Sequence, residues 1–139
     1  MKRITAACLA MLVALILWAS PVLASEFVVE MLRLDVPAAQ REIWLEAEAS
    51  TWQPWLERQD GFLGRDLYWD PSLEQGLLLI RWASRAQWKA IEADAVDQVQ
   101  QRFDAAVNRT LGREVEAGSA FPLLEAAELL PQRLIGRSG

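Results

Sequence analysis

Hydrophobic positions in this chain switch repeatedly between the alternation of a strand and the wider period of a helix, and each switch marks an element. Phe27–Val36 reads as a strand apolar on both faces, with Phe27, Val29 and Met31 against Val28, Leu32, Leu34 and Val36. Glu30 and Arg33 interrupt it. Pro37 suits the first turn of a helix, and Asp35 stands where a cap is expected. The spacing predicts a helix over Ala38–Gln59, with Leu45, Ala49, Trp52 and Leu56 as its buried stripe and Trp44 and Trp55 beside it. Pro54 should bend that helix, because its ring opposes the carbonyl of Ser50. Asp60-Gly61 ends it.

Phe62–Trp69 and Leu77–Ala83 follow as two strands of a hairpin, with turn chemistry in Asp70-Pro71-Ser72 and Gly76. Ser84 and Gln87 form a capping-box pattern that starts a second helical region. Asp94 and Asp97 restart it in a new direction. Val96, Val99, Phe103, Val107 and Leu111 then recur at helical spacing until Gly112. A last strand is expected at Phe121–Glu125, where Pro122 argues for an edge or a bulge, and residues 126–139 read as a loosely docked tail. The order β-α-β-β-α-β predicts an α+β, ferredoxin-like fold: two helices over one face of a four-stranded antiparallel sheet. Yet the first and third strands are apolar on both faces, as in sheets covered on both sides. With no third layer in the chain, a second copy is expected to cover the free face, which predicts a homodimer.

Charge and composition narrow the function classes. The net charge is −5, which argues against nucleic acid as a partner. Lys2 and Arg3, the apolar run Ile4–Ala19 and Val22-Leu23-Ala24 read as a signal peptide over residues 1–24, or as an uncleaved N-terminal anchor. The expectation is an exported domain over residues 25–125, touching a membrane only if the leader stays attached. Cys8 is the single cysteine and the chain contains no histidine, so a tight transition-metal site is not expected and no cofactor is called for.

The residues that carry a resemblance are Val28-Val29-Glu30, Leu32, Val36-Pro37, Trp52, Gly61-Phe62-Leu63-Gly64, Ile80-Arg81-Trp82, Ser84, Gln87–Ile91 and Phe103. Together they resemble an uncharacterised cyanobacterial family, a branch of the antibiotic-biosynthesis-monooxygenase-like superfamily of dimeric α+β barrels. The resemblance spans nearly all of Val28–Glu125. It implies the fold more strongly than any chemistry, since that superfamily includes cofactor-independent monooxygenases, haem-degrading enzymes, isomerases and proteins without known activity. Trp82 matches a tryptophan that faces substrate in the haem-degrading branch. That branch also relies on a histidine ligand and a first-strand asparagine, whereas this chain has no histidine and its single asparagine is Asn108. Haem degradation is therefore disfavoured.

The candidate pocket residues are Trp52, Arg65, Tyr68, Arg81 and Trp82. Each also has a purely structural reading. Trp52 and Trp82 sit on apolar stripes where core residues belong. Tyr68 could assist proton transfer beside Asp66, or could simply be a sheet residue at an edge. Arg81 lies on the strand face opposite Trp82 and needs a carboxylate if buried, with Glu30 as the expected partner. Glu46, Glu48, Asp94 and Asp97 read as solvated helix faces and caps. Two functions are compatible with this pattern. One is a small-molecule protein that binds or oxidises an apolar or aromatic molecule without a cofactor. The other is a non-catalytic dimerisation or assembly module at a membrane.

Overall fold

The computed structural model describes residues 27–134. The leader read at residues 1–24 lies outside them, as do the last five residues of the tail. Four strands form one antiparallel sheet: β1 (Val28–Asp35), β2 (Phe62–Asp70), β3 (Gln75–Trp82) and β4 (Leu123–Leu129), in the order β2-β3-β1-β4. The helical segments are α1 (Arg41–Ala47), α2 (Gln53–Leu56), α3 (Arg85–Lys89) and α4 (Ala93–Leu111). This is the ferredoxin-like α+β arrangement that the element order predicts. No helix among the described residues is long and apolar enough to cross a membrane.

Strand register assigns each side chain to a face. Val28 pairs with Trp82, Glu30 with Ile80 and Leu32 with Leu78, while Arg65 and Leu67 of β2 oppose Ile80 and Leu78. These residues share the face covered by the helices. Val29 pairs with Arg81, Met31 with Leu79 and Arg33 with Leu77, and Tyr68 opposes Leu77. That second set forms the open face.

The hydrophobic core divides into two groups. Trp44, Leu78, Phe103, Val107 and Phe121 join α1, β3, α4 and the approach to β4. Val28, Leu56, Ile80 and Trp82 form the second group beneath α2. Gly76 makes the first group possible: a Cβ there would lie 2.8 Å from the Trp44 ring. The strand must stay bare for the indole to approach it this closely.

The first helical region departs from the expected single helix in two ways. It opens with a short 3-10 turn, Ala38–Gln40, after Pro37. Its first free amide, Ala38 N–H, donates to Glu74 Oε1 at 2.7 Å rather than to Asp35, which is the last residue of β1. The turn between β2 and β3 thus caps the helix. Further on, Glu48–Trp52 is a π-turn between α1 and α2, and Gln53 N–H reaches back five residues to Glu48 O. Pro54 lacks an N–H and its ring crowds the preceding turn, so the widened turn absorbs the misfit where a bend was expected. The hydroxyls of Thr51 and Ser50 both donate to Ala47 O, at 2.6 and 3.3 Å.

That extra residue also changes which stripe is buried. Trp44, Ala47, Glu48 and Leu56 are buried, Ala49 is exposed and Leu45 only half-buried. Later elements follow expectation more closely. Ser84 Oγ accepts from Gln87 N–H at 3.1 Å and caps α3. Val99, Phe103 and Val107 face the core of α4, and Gly112 ends it in the left-handed conformation. The final strand begins two residues later than expected and runs on to Leu129, taking in the start of the supposed tail. Its pairing with β1 from Val29 to Leu34 fixes that extension.

Candidate functional site

Between the helix-covered face of the sheet and the helices lies a cavity of about 540 Å³. This is within the range of small-molecule sites, typically about 300–1,000 Å³. Its walls are mainly apolar, and the aromatic side chains among them include Trp82 from β3, Trp52 and Trp55 from the π-turn and α2, Trp88 from α3 and Phe103 from α4. Trp52 and Trp55 meet edge to face at 5.6 Å between ring centres, and Phe62 supports Trp82 in the same way at 5.9 Å. Such edge-on contacts fix indole orientation.

The loop leading to β4 contributes Ser119 and Phe121 to the lining. Asn108 holds this loop. Its fully buried side-chain amide donates to Gly118 O at 2.9 Å and to Val115 O at 3.3 Å.

Polar groups enter the cavity at a few points. Glu30 projects from β1 on the same face as Trp82, and Trp82 Nε1 donates to Glu30 Oε2 at 3.1 Å. Burial raises the Glu30 carboxyl above its ordinary range, partly offset by that hydrogen bond and by the charge of Lys89. A carboxyl poised in this way can accept a proton from a bound hydroxyl. Lys89 extends over the Trp88 ring, with Nζ 3.6 Å from its centre. On α4, Gln100 donates to Asp104 Oδ1 at 2.9 Å, and both residues line the wall.

A buried ion pair stands at the other side. Arg65 from β2 donates to Glu48 Oε2 at 2.6 Å, and both side chains are 3% exposed. Arg65 also donates to Gln53 Oε1 at 2.8 Å and to Glu48 O at 3.3 Å. Desolvation raises the Glu48 carboxyl and the Arg65 charge works against that rise. The Trp44 indole N–H borders the same carboxylate without reaching hydrogen-bond geometry. The pair fastens the π-turn to β2, and so fixes where Trp52 enters the cavity.

Three of the five candidate residues therefore meet at one site: Trp52, Arg65 and Trp82. Tyr68 and Arg81 do not. Both project from the open face, where Tyr68 is 54% exposed. Arg81 pairs with Asp66 of the adjacent strand, not with Glu30. Strand parity explains the correction: Glu30 is two residues from Val28 and from Leu32, so it shares their face and cannot meet Arg81. The expectation that Glu48 is a solvated helix residue is also overturned by its burial. Its signal was present, since Glu48 lies four residues after Trp44 and four before Trp52. Glu30, Lys89, Gln100 and Asp104 were not singled out as cavity residues.

The site and topology define a class: a ferredoxin-like α+β unit enclosing an aromatic cavity between sheet and helices. Among solved structures, the chain is similar to a protein of Shewanella loihica PV-4 assigned as a monooxygenase, with a TM-score of 0.52 and 18% identity over 79% of this chain and 98% of that one. It is also similar to a monooxygenase of Streptomyces coelicolor in complex with nanaomycin D (TM-score 0.51, 20% identity, 83% and 95% coverage). A variant of SnoaB, a cofactor-independent oxygenase from Streptomyces nogalater, matches with a TM-score of 0.50 at 17% identity, covering 80% of this chain and 98% of that one. No family model and no curated protein matches the chain. The fold is that of the antibiotic-biosynthesis-monooxygenase-like proteins, as the sequence resemblance implies.

Proposed function

We propose that this protein binds a small, flat, apolar or aromatic molecule in the cavity and oxidises it with O₂ without a cofactor. The observation that carries this reading is the Glu30 carboxyl, raised by burial and hydrogen-bonded by Trp82, inside a cavity walled by tryptophans. Glu30 takes the proton of a phenolic hydroxyl, and the electron-rich anion then reduces O₂ itself. The aromatic walls hold the ring in place and keep water from the intermediate. For a naphthol the overall step balances as naphthol plus O₂ giving naphthoquinone plus water. One ring C–H and the O–H both become carbonyls, and O₂ takes four electrons.

The test uses a naphthol as probe. At about 0.5 kcal/mol per heavy atom, binding on the order of 100 µM is expected. Saturable quenching of tryptophan emission together with O₂ uptake supports the reading, and Glu30→Gln should abolish uptake while retaining quenching. Quenching without uptake leaves a binding protein. Absence of both, at millimolar probe, contradicts the proposal.

The open face supports a second part of the proposal, a homodimer. Val29, Met31, Leu77, Leu79, Ala127 and Leu129 form an apolar field there, crossed by the Arg33–Glu125 and Arg81–Asp66 pairs. A second copy would bury this field symmetrically. Light scattering should give twice the chain mass, and a stable monomer at micromolar concentration would refute the pairing.

A further inference from the structure

We propose that the cavity selects neutral ligands bearing one hydrogen-bond donor and rejects their anionic counterparts. The inference rests on the cavity being a ligand site and names what that site accepts. Three carboxylates line it, Glu30, Glu48 and Asp104, against two positive charges, Arg65 and Lys89. The Arg65 guanidinium is held by Glu48 and Gln53 through three contacts, and its side chain is 3% exposed. Lys89 is an exposed residue at the rim whose Nζ rests on the Trp88 ring.

The negative groups are less fully answered. Glu30 Oε2 accepts from Trp82, but Oε1 has no hydrogen-bond partner among the described residues. Asp104 accepts from the neutral Gln100 and forms no salt bridge among the described residues. Glu30 and Asp104 lie on opposite walls, one on β1 and the other on α4. A ligand entering between them meets two acceptors and indole faces that carry negative potential. A hydroxyl or amide N–H can pair with Glu30 Oε1, which no donor among the described residues reaches. A carboxylate or sulfonate finds repulsion from the same oxygen and from Asp104, with only Lys89 at the exposed rim to offset it. The tryptophan walls accept the apolar body of either ligand equally. Discrimination therefore rests on the polar group and not on the ring.

Naphthalenesulfonamide and naphthalenesulfonate form a near-isosteric pair that isolates this charge. The first is neutral with an N–H donor, and the second is an anion. Near neutral pH, titrations followed by tryptophan quenching should give at least about tenfold tighter binding of the sulfonamide, equivalent to about 1.4 kcal/mol. Glu30→Gln removes the charge and leaves Trp82 an oxygen to donate to. It should strengthen sulfonate binding about tenfold and weaken the sulfonamide, whose N–H loses its acceptor oxygen, so that the wild-type preference disappears. Equal affinities in the wild-type protein, or tighter sulfonate binding, overturn the charge selection while leaving the cavity as a ligand site. If neither compound binds, the ligand-site reading falls as well. The wild-type ratio decides the matter on its own if Glu30→Gln does not fold.

Discussion

The two faces of the sheet carry similar residues and use them differently. On the helix-covered face, Arg65 and Glu48 are almost wholly excluded from water and Glu30 is paired only by an indole N–H. On the open face, Arg81–Asp66 and Arg33–Glu125 join neighbouring strands with side chains 29–56% exposed. A buried charge must be matched or it destabilises the fold, so its partners are strictly constrained. An exposed pair has water as a ready alternative, and its loss costs little. The arginine with a place in the cavity is therefore the buried one, although the exposed one stands out more in the sequence.

Substitutions on each face can break this contrast. Arg65→Met leaves Glu48 buried without a counter-charge and should destabilise the protein by about 3–5 kcal/mol in urea unfolding. Replacing Glu48 by Met as well should restore most of the loss, since apolar pairs often substitute for buried ion pairs without penalty. A double variant no better than the single one would mean that the π-turn depends on the charges themselves.

Gly76→Ala should cost about 1–3 kcal/mol, because the new methyl meets the rigid, buried Trp44 ring at 2.8 Å. A neutral outcome would show that the first core group has slack.

The third effect appears only across pH. Burial raises both Glu30 and Glu48, so the folded protein holds protons that the unfolded chain has already released. Stability should rise as pH falls through the raised folded values, and level off once the ordinary carboxyl value is passed. Glu30→Gln should flatten its share of that rise, read as the urea midpoint against pH. An unchanged slope would remove Glu30 as a contributor.

Arg81→Ala should be the mildest change, about 0–1 kcal/mol in the isolated chain after allowing for solvent screening. A loss as large as that of Arg65→Met would erase the distinction between the faces, unless dimer dissociation accompanies it.

Much of the fold was legible because period and punctuation agree. The hairpin, the Ser84 cap and the stripe through Val99, Phe103 and Val107 each have both signals, and each lies where the sequence indicates. The first helix was harder to read. Its π-turn shifts the helical phase by one residue, so a regular period selects Ala49 where the structure buries Glu48. The final strand was read short because residues 126–139 read as a loosely docked tail, yet β4 is an edge whose backbone pairs with β1 as far as Leu129 regardless of polarity.

The site was only partly legible. Trp52, Arg65 and Trp82 could be nominated by type, but assigning them to one cavity needs strand parity across three strands. Parity sets Arg81 opposite Trp82 in the sequence, and applied to β1 and β2 as well it separates Glu30 from Arg81 and moves Tyr68 to the open face. No pattern in the sequence reveals that Arg65 reaches Glu48, because the contact spans a helix and a strand 17 positions apart.

The central claim is that the space between sheet and helices is where a ligand binds, with Glu30 as its polar anchor. A crystal structure of the protein with naphthalenesulfonamide tests this most directly. The account predicts the ring among Trp52, Trp82 and Trp88, with the sulfonamide nitrogen within hydrogen-bond distance of Glu30 Oε1. A ligand seated on the open face beside Tyr68 and Arg81, with the aromatic cavity empty, would contradict it.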